Sequence, residues 1–150
     1  MSIALGVVEK QAKEGKLDMP TFSGAHHVAL TVQDVVASAA WYQDLFGMQP
    51  LMQADDENVR LRVLAHPDSG LIIGLREYPA HDDGAFSEFR TGLDHIAFTV
   101  SSRDELEAWQ DVLAEKGIPF SPVAESPIGT LVVLRDPDNI QLELWLPLGQ

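Results

Sequence analysis

A short motif occurs twice in the chain and constrains its fold more than any other feature. Residues 26–32 read His-His-Val-Ala-Leu-Thr-Val and residues 94–100 read Asp-His-Ile-Ala-Phe-Thr-Val, so His27, Ala29 and Thr31 recur 68 positions later. Self-similarity at a fixed spacing indicates a duplicated structural unit. We therefore expect two similar modules.

Each copy of the motif is followed by the same series of predicted elements. Asp34 can cap a helix that runs through Phe46 and ends at Gly47, and Ser102 with Glu105 forms a capping box for a helix that ends at Gly117. Three short extended runs, separated by turn residues, follow each helix. They are residues 50–53, 59–66 and 71–77 in the first half, and residues 118–123, 129–135 and 140–146 in the second.

The order strand, helix, strand, strand, strand in both halves predicts an α+β fold of two tandem βαβββ modules. One module buries little by itself, so we expect the two to join as a U-shaped mixed sheet with the helices on its convex side. Residues 21–150 then form one domain, with module one at about 22–80, a connector at about 80–92 and module two at about 93–148. Residues 1–20 are expected to form a helical N-terminal extension.

Strand alternation divides the side chains between a packed face and an open face, because residues two apart share a face. The open face of the two opening strands carries the repeated residues, which are His27, Ala29, Thr31, His95, Ala97 and Thr99. In the last strand the leucines take the packed face, which leaves Gln141, Glu143 and Trp145 on the open one. The small residues beside each histidine leave space for a ligand.

His27, His95 and Glu143 form the candidate metal-ligand set. Burying a lone carboxylate is costly without a cation or strong hydrogen-bond donors, and two histidines share the face of Glu143. Two imidazoles and one carboxylate suit a divalent ion such as Fe²⁺, Mn²⁺, Zn²⁺, Ni²⁺ or Co²⁺, and three ligands leave positions for a substrate. The alternative is that both histidines are ordinary strand residues and that Glu143 pairs with an arginine such as Arg62 or Arg135.

The other three histidines are expected to be solvated. His26 points to the opposite face or lies at the strand edge, where its counterpart in the second motif is Asp94. His66 lies in a predicted turn, and His81 lies in the acidic connector.

Composition narrows the classes of partner. The chain has no cysteine, which excludes thiolate nucleophiles, disulfides and iron–sulfur clusters, so a bound metal must use nitrogen and oxygen ligands. A net charge of −13 disfavours nucleic acid and anionic membranes as partners. The first twenty residues do not read as an export signal, because the apolar run stops at Glu9, so we expect a cytoplasmic protein.

On these motifs the chain resembles the vicinal oxygen chelate superfamily, which includes glyoxalase I, extradiol dioxygenases, fosfomycin and bleomycin resistance proteins and methylmalonyl-CoA epimerase. The matching pieces are His27-Val-Ala-Leu-Thr-Val with Asp34, Trp41-Tyr42, Leu45-Phe46-Gly47, His95-Ile-Ala-Phe-Thr-Val, and Asp136-Pro-Asp138 leading into Leu142-Glu-Leu144. The resemblance covers residues 22–148. It implies a U-shaped cleft around a metal held by His27, His95 and Glu143, and a homodimer in which one site can draw ligands from two chains.

The resemblance leaves the reaction open. Four-ligand members such as glyoxalase I take a further Glu or Gln from the last strand of the first module, where this chain has Ile73 or Gly74, neither of which can ligate. The remaining set looks like that of the extradiol dioxygenases and the fosfomycin-modifying members. The chain departs from the first in its aliphatic run Leu131-Val-Val-Leu134, where a tyrosine is usual, and from the second in Ala29, where a threonine is usual.

We therefore expect a metal-dependent enzyme that acts on a small molecule with vicinal oxygens, dioxygenase-like and using Fe²⁺ or Mn²⁺. Four residues of the open face are expected to position the substrate: Thr31, Thr99, Gln141 and Trp145. One alternative is a glyoxalase- or epimerase-type lyase or isomerase that uses metal-assisted proton transfer. Another is a metal-free, bleomycin-type drug-binding protein, for which the acidity of the chain is suitable.

Overall fold

The computed structural model describes residues 20–80 and 84–149 and contains two similar modules. The elements of module one are β1 Val28–Thr31, α1 Val35–Phe46, β2 Gln49–Asp55, β3 Arg60–Ala65 and β4 Ile72–Glu77. Those of module two are β5 Ile96–Thr99, α2 Arg103–Glu115, β6 Ala124–Ser126, β7 Gly129–Arg135 and β8 Gln141–Pro147. The predicted α+β fold of two βαβββ modules is thus confirmed. The predicted N-terminal helix and His81 lie outside the described residues, apart from residue 20.

Backbone hydrogen bonds group the strands into two four-stranded mixed sheets with matching orders, β1-β4-β3-β2 and β5-β8-β7-β6. In each sheet the first strand runs parallel to the last, and the other pairs are antiparallel. Consequently β1 and β5, the strands that follow His27 and His95, are edge strands of their sheets. Neither of the two described helices is long and apolar enough to cross a membrane.

The helix ends follow the sequence signals. The Asp34 carboxylate accepts two backbone N–H bonds from the first turn of α1, and Gly47 ends the helix with a φ of 66°. The Ser102 hydroxyl accepts a hydrogen bond from the Glu105 N–H at 3.1 Å, as a capping box requires. The return bond differs, because the Glu105 carboxylate accepts from the Ser101 N–H at 2.6 Å and not from Ser102.

One predicted strand is wrong. The extended run predicted at residues 118–123 is irregular, and the strand begins later, at Ala124–Ser126, although Phe120 makes an isolated bridge to β7. Pro119 and Pro122 have no N–H to donate to a ladder, which explains why regular pairing starts beyond them.

A shared apolar core joins the two modules. Each helix packs on one side of its own sheet, and we call the opposite side the open face. The ring of Phe46, at the end of α1, lies 4.7 Å from that of Phe98 and 5.6 Å from that of Trp109, measured between centroids. The Tyr42 hydroxyl donates to Asp136, in the turn before β8, at 2.9 Å. Module one therefore packs on module two through α1.

Candidate metal centre

The open face of module two carries a buried carboxylate at its centre. Glu143 lies on β8 between Ala97 of β5 and Val133 of β7, and only 7% of it is exposed. The neighbours on this face are less buried, since Ala97 is exposed and Val133 is half-buried. An ionised carboxylate at this depth requires a cation or strong hydrogen-bond donors.

His95 is the basic group that the structure places beside Glu143. The His95 Nε2 lies 3.5 Å from the Glu143 Oε2. The two arginines considered as alternative partners are bound elsewhere, because Arg62 pairs with a carboxylate of β2 and Arg135 with one in the connector. The alternative in which Arg62 or Arg135 neutralises Glu143 is therefore wrong.

Asp94 engages the other ring nitrogen of His95. Its Oδ1 lies 2.6 Å from the His95 Nδ1. A carboxylate can only accept, so the proton of this bond belongs to Nδ1, and in the neutral imidazole Nε2 presents its lone pair towards Glu143. A nitrogen and an oxygen acceptor facing one another suit a shared cation. The sequence predicts Asp94 only as a polar edge residue, although the adjacent Asp-His pair is a signal for this contact.

His27 stands apart from the pair formed by His95 and Glu143. It is exposed, and its Nδ1 lies 2.9 Å from the Nδ1 of His26, which is also exposed. Within residues 20–80 and 84–149, no three His, Cys, Asp or Glu side chains are grouped so that they could hold one metal ion. His27 and His95 nevertheless border the same open depression of about 870 Å³.

The predicted substrate-contacting threonines lie at different places. Thr99 borders the depression that His27 and His95 share. Thr31 borders a second depression of about 440 Å³, next to Phe86 of the connector. The two threonines are related by the repeat but do not meet in one hollow of the described chain.

Gln141 and Trp145 flank Glu143 along β8. The Gln141 Oε1 accepts a hydrogen bond from Arg135 at 2.9 Å, which orients the amide. Trp145 lies against Gly129, where an added Cβ would come within 2.8 Å of the indole ring. The glycine therefore creates the space in which the indole lies over β7.

Gly74 is the module-one counterpart of Glu143. In the sheet register Ala29 stands opposite Gly74, just as Ala97 stands opposite Glu143. The sequence leaves Ile73 and Gly74 open for this position, and the register selects Gly74. Its strand therefore offers no fourth ligand at the position equivalent to Glu143.

A model of the Glyoxalase/Bleomycin resistance protein/Dioxygenase superfamily matches residues 24–144. Among curated proteins, the chain is similar to the uncharacterized protein YwkD of Bacillus subtilis (strain 168). The two are 30% identical over 123 residues, which cover 80% of this chain and 94% of YwkD.

Solved structures agree with this match. The glyoxylase/bleomycin resistance protein/dioxygenase domain from Frankia sp. EAN1pec is 36% identical, with a TM-score of 0.77 over 85% of this chain and 99% of that one. The fosfomycin resistance protein FosX from Listeria monocytogenes, complexed with Mn(II) and sulfate, is 22% identical and shares the fold, with a TM-score of 0.65 over 84% and 93% of the respective chains. From the family match and these relatives, the chain belongs to the Glyoxalase/Bleomycin resistance protein/Dioxygenase superfamily.

Proposed function

We propose that this protein is a metal-dependent enzyme that acts on a small molecule with two vicinal oxygens, and that His27, His95 and Glu143 hold the metal. The observation that carries the proposal is the buried Glu143 carboxylate facing the His95 Nε2 at 3.5 Å. Nitrogen and oxygen donors of this kind suit Fe²⁺ or Mn²⁺, and also Zn²⁺, Ni²⁺ or Co²⁺. The fold is compatible with such an ion, since FosX is complexed with Mn(II).

A homodimer would complete this centre. His27 does not join His95 and Glu143 in the described chain. The strands that follow the two histidines, β1 and β5, are edge strands, whose unpaired backbone groups a second chain can approach. In the proposed dimer, His27 is supplied by the partner subunit.

Each neighbouring side chain has a role in this proposal. The divalent ion, when bound, supplies Lewis-acid stabilisation of negative charge on the chelating substrate oxygens. Asp94 orients the His95 ring through its contact with Nδ1. In this proposal the Thr99 hydroxyl and the Gln141 amide hydrogen-bond the substrate, and the Trp145 indole forms an apolar wall.

Gly74 favours an oxygen-dependent reaction. Three protein ligands leave room for a chelating substrate and one further small molecule, and Gly74 adds no fourth ligand. Thr99, Gln141 and Trp145 are poor proton acceptors, so a lyase or isomerase would have to use another base, such as Glu105, which borders the same depression as Thr99. The reaction proposed is therefore dioxygenase-like.

Metal binding is the first test. We expect protein purified without added metal, then titrated with Mn²⁺ in a calorimeter, to bind one ion per three-ligand site, and the His95→Ala variant to bind none. Mixing His27→Ala with Glu143→Ala protein should restore binding, because one intact site then forms between the two chains. A wild-type protein that binds no divalent ion, yet still binds a cationic drug such as bleomycin, would identify a metal-free binding module instead.

Oxygen consumption is the second test. Protein loaded with Fe²⁺ under anaerobic conditions should consume dissolved oxygen when a catechol or an aliphatic vicinal diol is added, and Glu143→Gln protein should not. Metal binding without uptake on any of these compounds would reject the dioxygenase-like reaction.

A further inference from the structure

Each candidate histidine ligand has its Nδ1 engaged by the residue immediately before it. The Asp94 Oδ1 lies 2.6 Å from the His95 Nδ1, and the His26 Nδ1 lies 2.9 Å from the His27 Nδ1. Residues 26 and 94 occupy equivalent places in the repeated motif. The two modules therefore use the same local arrangement with two different side chains.

The partner of Nδ1 decides which nitrogen is available for a ligand. When one imidazole nitrogen donates its proton to a neighbour, the other presents a lone pair, and such partners of metal-binding histidines raise their basicity as ligands. Asp94 can only accept, so the His95 Nδ1 is the donor of that bond, whereas either ring of the His26–His27 pair can donate. A carboxylate is also a stronger acceptor than a neutral imidazole, because it carries a charge. His95 should thus be the more strongly polarised of the two rings.

We propose that Asp94 and His26 are positioning residues that direct the Nε2 atoms of His95 and His27 to the metal and make them unequal ligands. The inference rests on the proposed metal centre. His95, backed by Asp94 and next to Glu143, forms the primary binding half on module two. His27, backed by His26, is the weaker ligand that completes the coordination.

Exposure argues against a purely structural role for the Asp94–His95 contact. The side chains are 66% and 39% exposed, and ion pairs at such positions contribute little to folding stability. The substitution Asp94→Asn should therefore leave the fold intact and report on the histidine alone. Asp111→Asn, at an exposed position of α2, removes the same charge and serves as the matched control.

The tautomer of His95 in the metal-free protein gives the first readout. Nitrogen-15 NMR of the neutral side chain should show the proton of His95 on Nδ1 in the wild type and in Asp111→Asn. In Asp94→Asn this preference should be lost. A wild-type His95 with its proton on Nε2 would overturn the positioning role, whatever the protein does with metals.

The affinity for Co²⁺, measured from its visible absorption in competition with a chelator, gives the second readout. Asp94→Asn should weaken binding roughly 10- to 100-fold, as loss of an outer-sphere partner typically does. His26→Phe should weaken it less, and Asp111→Asn should not change it. Equal losses in the Asp94 and His26 variants, or no loss in the first, would refute unequal ligands. A wild type that binds no Co²⁺ would instead overturn the proposed metal centre.

Discussion

Modules one and two share their strand order, helix and register, yet their open faces carry different chemistry. Module two has Glu143 at the centre of the open face, where module one has Gly74. Module two places Asp94 behind its histidine, where module one places His26. The duplicated backbone therefore defines equivalent positions in the two modules, and single side-chain differences at these positions give each module its own chemistry.

The turns that precede β4 and β8, the last strands of the two modules, also carry different side chains. In module two the turn is acidic and buried against module one, since Tyr42 of α1 donates to Asp136 at 2.9 Å and the Gln33 N–H, just before α1, donates to Asp138 at 3.1 Å. In module one the Ser69 N–H donates to the Nδ1 of His66 within the turn itself. Module two thus uses its turn to join the modules, whereas module one leaves its turn at the edge of the large depression.

The largest effect is expected on metal affinity at the paired positions Glu143 and Gly74. Glu143→Gln removes the charged ligand and should weaken Mn²⁺ binding by more than the roughly 10- to 100-fold expected for an outer-sphere residue. Gly74→Ala should leave the affinity unchanged, since its Cβ would meet the Ala29 Cβ at an ordinary 3.6 Å. Isothermal titration of both variants checks this, and equal losses would contradict the assignment of the metal to module two.

Substitution of Gly129 in module two and of Gly74 in module one should have opposite effects on stability. An added Cβ at Gly129 would lie 2.5 Å from the Leu146 carbonyl oxygen and 2.8 Å from the Trp145 ring. Gly129→Ala should therefore lower the free energy of unfolding by about 1–3 kcal/mol, as overpacking does. Gly74→Ala fits its site and should stabilise by about 0.4–1 kcal/mol through the unfolded chain. Urea denaturation measures both, and a tolerated Gly129→Ala would mean that the Leu146 carbonyl oxygen and the Trp145 ring do not lie this close to residue 129.

The two turns provide a smaller contrast. Tyr42→Phe removes the only side-chain donor that the described structure gives to the Asp136 carboxylate. It should cost about 1–3 kcal/mol, because the buried Oδ2 loses its partner while Oδ1 keeps two backbone N–H donors. Ser69→Ala, in the exposed turn of module one, should change stability by less than about 0.5 kcal/mol. Thermal unfolding of the two variants compares them, and similar losses would contradict a larger contribution from the Tyr42–Asp136 contact between the modules.

The smallest expected effect concerns acid stability. The Arg135 guanidinium lowers the pKa of Glu88 from 4.5 to about 2, and Arg62 likewise lowers the pKa of Asp55 in module one. A lowered pKa in the folded state means that the stabilisation is present above the ordinary value and is lost as the pH falls towards 2. Asp55 is exposed and Glu88 is half-buried at the surface of the protein, so each contribution is small.

Glu88→Gln and Asp55→Asn should therefore be less stable than the wild type at neutral pH. For Glu88→Gln the difference should shrink as the pH is lowered from 4.5 to about 2, and for Asp55→Asn it should shrink as the pH falls below the ordinary value of 3.8. Urea unfolding midpoints measured across that range check the sign. A difference that grows towards acid pH would contradict the ion pairs in both modules.

Much of the fold could be predicted because its signals are local. The repeated motif, the capping residues and the turn residues predict both modules, and strand alternation correctly separates Glu143 from the leucines of β8. The strand predicted at residues 118–123 failed, because apolar character favoured a strand where two prolines prevent regular pairing. The contact of Asp94 with His95 was missed, since it depends on the rotation of two adjacent side chains.

The candidate site, like the fold, could be predicted only in part. The sequence by itself determined that His95 and Glu143 face the same side, because side chains alternate along a strand with a period of two. Only the tertiary structure decided that these two residues meet while His27 stays apart. It also decided that Gly74 and not Ile73 is the counterpart of Glu143, and that Arg62 and Arg135 are bound to other carboxylates. The reason is that sheet register and the packing of the modules depend on contacts between residues far apart in the chain, which a local pattern does not encode.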